Sequence, residues 1–190
     1  PLSIKLEESN DLLFRLKHSD AELIFVSKYQ LKKIRSITTE LPDLKHIVIW
    51  GEVDGGLKEG EMSLESLETM GDEYLKENEA SFLAIGRSIE NNDIATITYT
   101  SGTTADPKGV VLTHRNYTAN VEQALSVVSI PSTWRTLIIL PLDHCFAHVV
   151  GFYIMIACGA SVATTEVGRT PMETLKNIPL NIKEVRPHFL

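Results

Sequence analysis

Two short apolar runs with a helical pattern between them limit what this chain can fold into. The runs are Ala21–Ser27 (AELIFVS) and His46–Trp50 (HIVIW). Between them, apolar residues recur at helical spacing over Tyr29–Leu41, and Pro42 ends the pattern. A strand, a helix and a strand in such close succession favour a parallel βαβ unit. The sequence therefore predicts an α/β fold with a mostly parallel sheet and flanking helices.

The rest of the chain continues this alternation. Further strands are predicted at Ile94–Thr100, Gly109–Thr113, Thr136–Leu140 and Ala160–Thr164. Helices are predicted from a Ser63 cap to Lys76, from an Asn116 cap to Val128, over Phe146–Cys158, and from Thr170 onward. In the helix after Ser63, the residues expected to face inward are Leu64, Leu67, Tyr74 and Leu75. The last residues, Pro187–Leu190, look like the opening of another strand.

Charge and composition exclude several classes of protein. The 190 residues carry a net charge of −7, and residues 1–100 hold 11 basic and 19 acidic side chains. Such an acidic surface argues against a nucleic-acid partner, whereas the near-neutral second half would tolerate an anionic ligand. No apolar run approaches the ~20 residues of a membrane helix, and the first residues lack the features of a signal peptide. We therefore expect a cytoplasmic protein.

A stretch rich in hydroxyls lies between two of the predicted strands, at Tyr99–Asn116 (YTSGTTADPKGVVLTHRN). Backbone N–H groups and hydroxyls of such a loop can hold phosphate oxygens, and Lys108 adds a positive charge. The nucleotide loop G-x-x-x-x-G-K-[ST] does not fit, because Pro107 precedes the lysine and Gly109 follows it. From the residues alone, a phosphate loop and an ordinary polar hairpin turn stay equally open.

The order of these residues resembles the signature loop of adenylate-forming enzymes. That superfamily includes acyl-CoA synthetases, luciferases and the adenylation domains of peptide synthetases. Downstream, Leu140–Phe146 (LPLDHCF) is similar to the family's L-P-x-x-H-x-F segment, and Lys183–Pro187 to the segment that enters its next strand. Upstream, His18–Ala21 and Asn92–Thr96 are similar to segments of long-chain acyl-CoA synthetases. The resemblance is closest to long-chain fatty-acid–CoA ligases.

The resemblance implies that residues 1–190 are an internal fragment of the large N-terminal AMP-binding domain. No segment here matches the family's Tyr-Gly-x-Thr-Glu metal segment, its ribose-binding aspartate or its C-terminal lysine. We therefore expect the C-terminal domain to be absent and the fragment alone to be inactive.

The complete protein is expected to activate a long-chain fatty acid with ATP and Mg²⁺ and to pass the acyl group to coenzyme A. Its partners would be these small molecules. A peripheral membrane association of the complete protein stays open.

The same resemblance assigns site residues. The loop at residues 99–109 would grip the β- and γ-phosphates of ATP through Thr100, Ser101, Gly102, Thr103, Thr104, Lys108 and Gly109. Lys108 would also neutralise the leaving pyrophosphate, and His144 would lie near the adenylate and the acyl carboxylate. No metal ligand is assigned. Ala105 departs from the family pattern, since most members have glycine there.

Other interpretations stay open. His144 and His148 could form a zinc pair on one helix face, although no third ligand stands at a readable spacing. A non-catalytic nucleotide-binding or interaction module would keep the loop without the chemistry, and an adenylating enzyme for another acid would share every motif. An apolar helical stripe is ordinarily part of the core and is not counted among the site residues. If the analogy holds, four residues of such a stripe would line or support the acyl region: Phe152, Tyr153, Met155 and Ile156.

Overall fold

The computed structural model describes residues 9–100, 107–140, 147–168 and 170–190. These residues divide into two compact units, the first within residues 9–89 and the second within residues 90–100 and 108–190. The first unit contains α1 (Ser9–His18), β1 (Leu23–Ser27), α2 (Leu31–Arg35), β2 (His46–Trp50), β3 (Glu61–Ser63) and α3 (Leu64–Ser88). The second unit contains β4 (Ile94–Thr100), β5 (Lys108–Thr113), α4 (His114–Val127), β6 (Arg135–Ile138), α5 (Ile154–Ala157), β7 (Ser161–Thr164) and α6 (Pro171–Val185).

The first unit is built on a parallel sheet in the order β1-β2-β3. Leu23 pairs with His46 and Ile47 with Glu61, so the predicted βαβ unit is confirmed. Alternate side chains of β1 and β2 point into the core, as the period of a strand requires. The buried core is formed by Leu12, Leu16, Ile24, Val26, Leu31, Ile34, Ile37, Leu41, Ile47 and Ile49.

The crossover between β1 and β2 is less regular than its periodicity predicts. The α-helix covers only Leu31–Arg35, and a 3₁₀ turn follows at Thr38–Glu40. The hydroxyl of Ser36 donates to the Lys33 carbonyl at 2.7 Å, and that of Thr38 donates to the Arg35 carbonyl at 3.3 Å. Such side-chain bonds compete with the helical ladder and shorten the helix.

Helix α3 begins as predicted and ends later. The Ser63 hydroxyl accepts from the Ser66 N–H at 3.0 Å, which confirms the cap. The helix then continues to Ser88 across a kink at Asn78, whose side-chain amide donates to the Tyr74 carbonyl at 3.0 Å. Leu64 and Leu67 are half-buried, but Tyr74 and Leu75 are exposed, so their predicted inward orientation is wrong. Helix α3 contacts β2 and β3 of this unit.

The second unit opens with an antiparallel hairpin of β4 and β5, joined to α4. Thr113, not Asn116, is the N-cap of α4, and the prediction is corrected here. The Thr113 hydroxyl accepts from the Asn116 N–H at 3.3 Å, while the Asn116 side-chain oxygen accepts from the Thr113 N–H at 2.8 Å. This reciprocal capping box places asparagine three residues inside the helix start.

The rest of the second unit surrounds the parallel pair β6 and β7. A π-helix at Ala147–Tyr153 leads into α5, and Gly159, at φ 65°, ends this helical segment as predicted. Thr170 caps α6 with Pro171 at its first position, also as predicted. Phe189 forms a parallel bridge to Thr136, consistent with a strand at Pro187–Leu190.

The predicted fold class is confirmed. Within the described residues, the sheets β1-β2-β3 and β6-β7 are parallel, and helical segments connect β1 to β2 and β6 to β7. None of the helices in the described residues is both long and apolar enough to cross a membrane.

Candidate functional site: a hairpin and an apolar passage

The hairpin of β4 and β5 brings together the two ends of the hydroxyl-rich stretch. Thr100 pairs with Lys108 at the loop end of the hairpin, and both side chains are exposed. Seven residues, 101–107, connect these two positions. Hairpin connections ordinarily have two to five residues. The connection is therefore longer than a simple polar turn requires, which leaves room for a binding loop.

Most of the predicted loop lies outside the described residues. This holds for Ser101, Gly102, Thr103 and Thr104, and also for His144. The structure brings Thr100, Lys108 and Gly109 together on adjacent strands. The phosphate-binding role of these residues stays a prediction.

Gly109 has a packing role within the hairpin. It pairs with Tyr99 across the strands. A Cβ at Gly109 would lie 3.0 Å from Cγ2 of Ile97 and 3.3 Å from ring carbon Cε1 of Tyr99. Glycine therefore lets the tyrosine ring lie close to the β5 backbone, beside the end of the loop.

A hydrogen bond links the hairpin to α4. The hydroxyls of Thr96 and Tyr117 are 2.8 Å apart, and Tyr117 is buried. By the alternation of a strand, Thr96 and Thr100 share one face of β4. Helix α4 therefore contacts the face of the hairpin that carries Thr100.

Tyr117 also joins an aromatic cluster between α4 and the π-helix. Its ring centroid lies 6.2 Å from that of His148 and 5.2 Å from that of Tyr153. His148 thus contacts two aromatic rings within the second unit. Its predicted zinc partner, His144, lies outside the described residues.

An apolar cavity of about 350 Å³ lies between α4, α5 and the amino end of β6. This volume is within the range of about 300–1,000 Å³ common for small-molecule sites. Its eight lining residues are all apolar or aromatic: Ala124, Leu125, Val128, Ile130, Trp134, Val150, Ile154 and Phe189.

A smaller cavity of about 90 Å³ follows β6 toward its carboxyl end. Val150 and Phe189 line both cavities. The smaller one is also lined by Leu140 and Ala147, which flank the segment that carries His144. The two cavities lie side by side at these shared residues and are here called the apolar passage, with Leu140 and Ala147 lining one end and Trp134 the other.

A glycine in the π-helix helps to set the width of this passage. A Cβ at Gly151 would lie 3.2 Å from Cγ1 of Ile138, so glycine permits the close approach of the π-helix to β6.

The residues lining the large cavity were not identified from the sequence. The stripe expected to line or support the acyl region comprised Phe152, Tyr153, Met155 and Ile156. From the same helical segment, Val150 and Ile154 line this cavity. Met155 is instead fully buried and Ile156 is exposed. A π-helix, with its i to i+5 hydrogen bonds, changes which side chains share a face. The available signal was the apolar stripe of α4, in which Ala124 and Leu125 are followed by Val128 at the C-cap.

The described residues do not form a magnesium site. No group of three or more His, Cys, Asp or Glu residues comes together in the part of the chain that the structure describes. At the hairpin end, the described side chains are a threonine hydroxyl and the Lys108 ammonium, which repels a cation. Mg²⁺ requires carboxylate or phosphate oxygens that these residues do not supply.

Comparison with known proteins identifies similar sequences. The sequence pattern of the family described as AMP-binding enzyme matches residues 6–190. Long chain acyl-CoA synthetase 6, peroxisomal, of Arabidopsis thaliana is 34% identical over 156 residues, covering 77% of this chain and 21% of that protein. Long-chain-fatty-acid--CoA ligase ACSBG1 of Homo sapiens is 30% identical over 173 residues, covering 88% of this chain and 23% of that protein. The chain therefore spans only about a fifth of these relatives.

Solved structures share the fold. The anthranilate CoA ligase AuaEII, in complex with anthranoyl-AMP, matches with a TM-score of 0.75 and 23% identity over 98% of this chain and 34% of its own. The Vibrio cholerae adenylation domain AlmE, in complex with glycyl-adenosine-5'-phosphate, matches with a TM-score of 0.63 and 16% identity over 97% of this chain and 33% of its own. These likenesses concern the fold alone. The resemblance seen in the sequence is confirmed by the family match.

Proposed function

Because the chain belongs to the family of AMP-binding enzymes, we propose that the protein containing it activates a long-chain fatty acid with ATP and transfers the acyl group to coenzyme A. The observation that carries the fatty-acid assignment is the apolar passage, whose lining among the described residues includes no charged or amide side chain. The names of the relatives from Arabidopsis thaliana and Homo sapiens support the same substrate class.

The proposed reaction has two steps. An oxygen of the fatty-acid carboxylate attacks the α-phosphorus of ATP, and the bond to the β-phosphate breaks to release pyrophosphate. The thiol of coenzyme A then attacks the acyl carbon, its proton is lost, and AMP leaves as the carbon–sulfur bond forms. Such chemistry depends mainly on positioning and on neutralisation of phosphate charge.

In the first step, the loop after β4 would hold the β- and γ-phosphates. Lys108 would stabilise the negative charge that develops on pyrophosphate as the bond breaks. This role is supported by the position of Lys108 at the loop end of the hairpin, where it pairs with Thr100 and its side chain is exposed. His144 would lie near the carboxylate, as the family resemblance implies. Mg²⁺ enters this proposal only as part of the MgATP substrate, and no step is assigned to it.

The passage favours a long acyl chain over a compact acid. The large cavity lies at the amino end of β6, whereas His144 follows the carboxyl end of that strand in sequence. The four residues of β6 span about 13 Å at ~3.3 Å per residue. An acid whose carboxylate is activated near His144 would need an extended alkyl chain to reach the large cavity.

Two further parts of the proposal concern the chain itself. We propose that residues 1–190 belong to the N-terminal AMP-binding domain and are inactive without the rest of the protein. The cytoplasmic location stays a prediction, which microscopy of the tagged complete protein would test.

The test is product formation by the complete protein. With ATP, coenzyme A and hexadecanoate, we expect AMP, pyrophosphate and hexadecanoyl-CoA in equal amounts, measured by liquid chromatography and mass spectrometry. Turnover of an aromatic or amino acid in place of fatty acids would identify an adenylating enzyme of different specificity. Binding of ATP without turnover of any acid would indicate a non-catalytic module and refute the proposed activity.

A further inference from the structure

Trp134 occupies the end of the apolar passage farthest from the flanks of the His144 segment. It is the residue immediately before β6, and it lines the large cavity together with Ile130 and Val128. Leu140 and Ala147 line the opposite end of the passage. An alkyl chain that enters between those two residues therefore meets the indole last.

The backbone fixes the position of this tryptophan. The Trp134 N–H donates to the Pro131 carbonyl at 2.9 Å, and the Trp134 carbonyl accepts from the Ser161 N–H at 2.9 Å. The second bond ties Trp134 to the start of β7. The side chain is therefore attached to a rigid strand end.

The indole ring is held as well. It stacks on His188 with ring centroids 5.6 Å apart and an interplanar angle of 10°, and it lies 6.3 Å from the Phe189 ring. His188 is itself fixed, since its N–H donates to the Arg135 carbonyl at 2.8 Å and its Nδ1 accepts from the Arg135 N–H at 3.1 Å. A ring supported in this way is a rigid wall.

We propose that Trp134 limits the length of the acyl chain that the protein accepts. This inference rests on the proposed function and adds the residue that sets its specificity. Acids whose terminal carbons stop short of the indole are accommodated, whereas longer ones must displace a ring that the stack on His188 holds in place. Small residues of the passage, such as Ala124 on α4, leave the room that the chain occupies.

Two substitutions with opposite effects test the proposal in the complete protein. Trp134→Ala removes the wall, and the preferred acid should lengthen by about two to four carbons, with about a fourfold gain for each additional buried methylene. Ala124→Phe fills the cavity from the side of α4, and the preferred acid should become shorter. The measurement is kcat/KM for saturated acids from hexanoate to eicosanoate.

Trp50→Ala is the matched control. Trp50 lies in the first unit, is exposed and does not line the passage, so its replacement should leave the dependence on chain length unchanged. A variant that merely loses stability would lower the activity with all acids by a similar factor. An unchanged chain-length profile in both variants, or a shift of both in the same direction, would overturn the proposal.

The affinity of the same acids, measured by calorimetry without ATP, tests the role of Trp134 independently of the proposed activity. Absence of turnover with every acid would refute the activity, yet the dependence of affinity on chain length would still test Trp134. Longer acids should bind more tightly to Trp134→Ala than to the wild type. Equal affinities for all lengths in both proteins would refute the role of Trp134.

Discussion

Replacing Glu61 by glutamine tests how the first unit is held together. One carboxylate oxygen of Glu61 accepts from Nε of Arg35 at 2.7 Å, and the other accepts from Nη2 of Arg35 at 2.7 Å and from the Lys58 N–H at 2.8 Å. The Glu61 side chain is only 2% exposed. These bonds join β3 and the loop before it to the end of α2.

Glutamine keeps the shape of the side chain but loses the charge, and it presents an amide donor where an acceptor is needed. We expect the free energy of unfolding to fall by about 1.5–2 kcal/mol, the lower part of the range for hydrogen bonds to charged groups, because solvent screens the exposed side of the pair.

The effect should depend on pH in a defined direction. The hydrogen bond from Arg35 is the main cause that lowers the pKa of Glu61 below its ordinary value of 4.5. A carboxylate whose folded-state pKa is lowered stabilises the fold fully above that ordinary value and loses its contribution as pH falls through the lowered one. The difference between wild type and Glu61→Gln should therefore be constant from neutral pH down to about pH 6 and shrink below about pH 4.

Urea unfolding of the complete protein at several pH values measures this difference, with hydrogen exchange of β3 to locate it. Glu22→Gln is the control, since Glu22 and Lys45 form an ion pair at 2.6 Å with side chains 64% and 59% exposed. The Glu22→Gln substitution should leave the free energy of unfolding unchanged within error. An equal loss in both variants, or a loss for Glu61→Gln that does not vary with pH, would refute the reasoning.

Three further predictions concern the second unit. Lys108→Ala should lower acid-dependent ATP–pyrophosphate exchange at least tenfold (about 1.4 kcal/mol) without changing the melting temperature, and an unchanged exchange rate would remove Lys108 from the mechanism. Thr113→Ala removes the N-cap of α4 and should cost about 1 kcal/mol in urea unfolding, whereas Thr118→Ala, in the helix interior, should cost less. Tyr117→Phe removes the hydrogen bond to Thr96 and should cost about 1 kcal/mol; the same substitution in a Thr96→Val background should cost less, and equal costs would show that the two hydroxyls do not interact.

Local sequence patterns predict most strands of this chain, because these strands lie where apolar residues form a short run between breakers. The exception is β3 (Glu61–Ser63), which contains a single apolar residue and was not predicted. The bounds of β2 and β4 are those expected, and Gly159 ends its helical segment as glycine commonly does. Tyr74 and Leu75 show the limit of periodicity. The helical pattern of α3 is real, but periodicity does not reveal whether a neighbouring element covers the apolar face.

The site was predictable in part. The hydroxyl-rich loop could be recognised because the order of its residues is specific, and Thr100, Lys108 and Gly109 do meet at one end of a hairpin. The apolar passage could not be recognised, because it depends on contacts between residues distant in sequence. Trp134 and Phe189 are separated by most of the second unit, and they meet through the bridge of Phe189 to Thr136 and the hydrogen bonds between His188 and Arg135. The π-helix adds a shift of register that a 3.6-residue period does not reveal.

The most direct test of the central claim is ATP–pyrophosphate exchange by the complete protein, because it isolates the adenylation step from thiol transfer. The account predicts that hexadecanoate supports exchange, that benzoate and glycine do not, and that Lys108→Ala abolishes most of the hexadecanoate-dependent rate. Exchange that is independent of any fatty acid, or equal with all three acids, would contradict it.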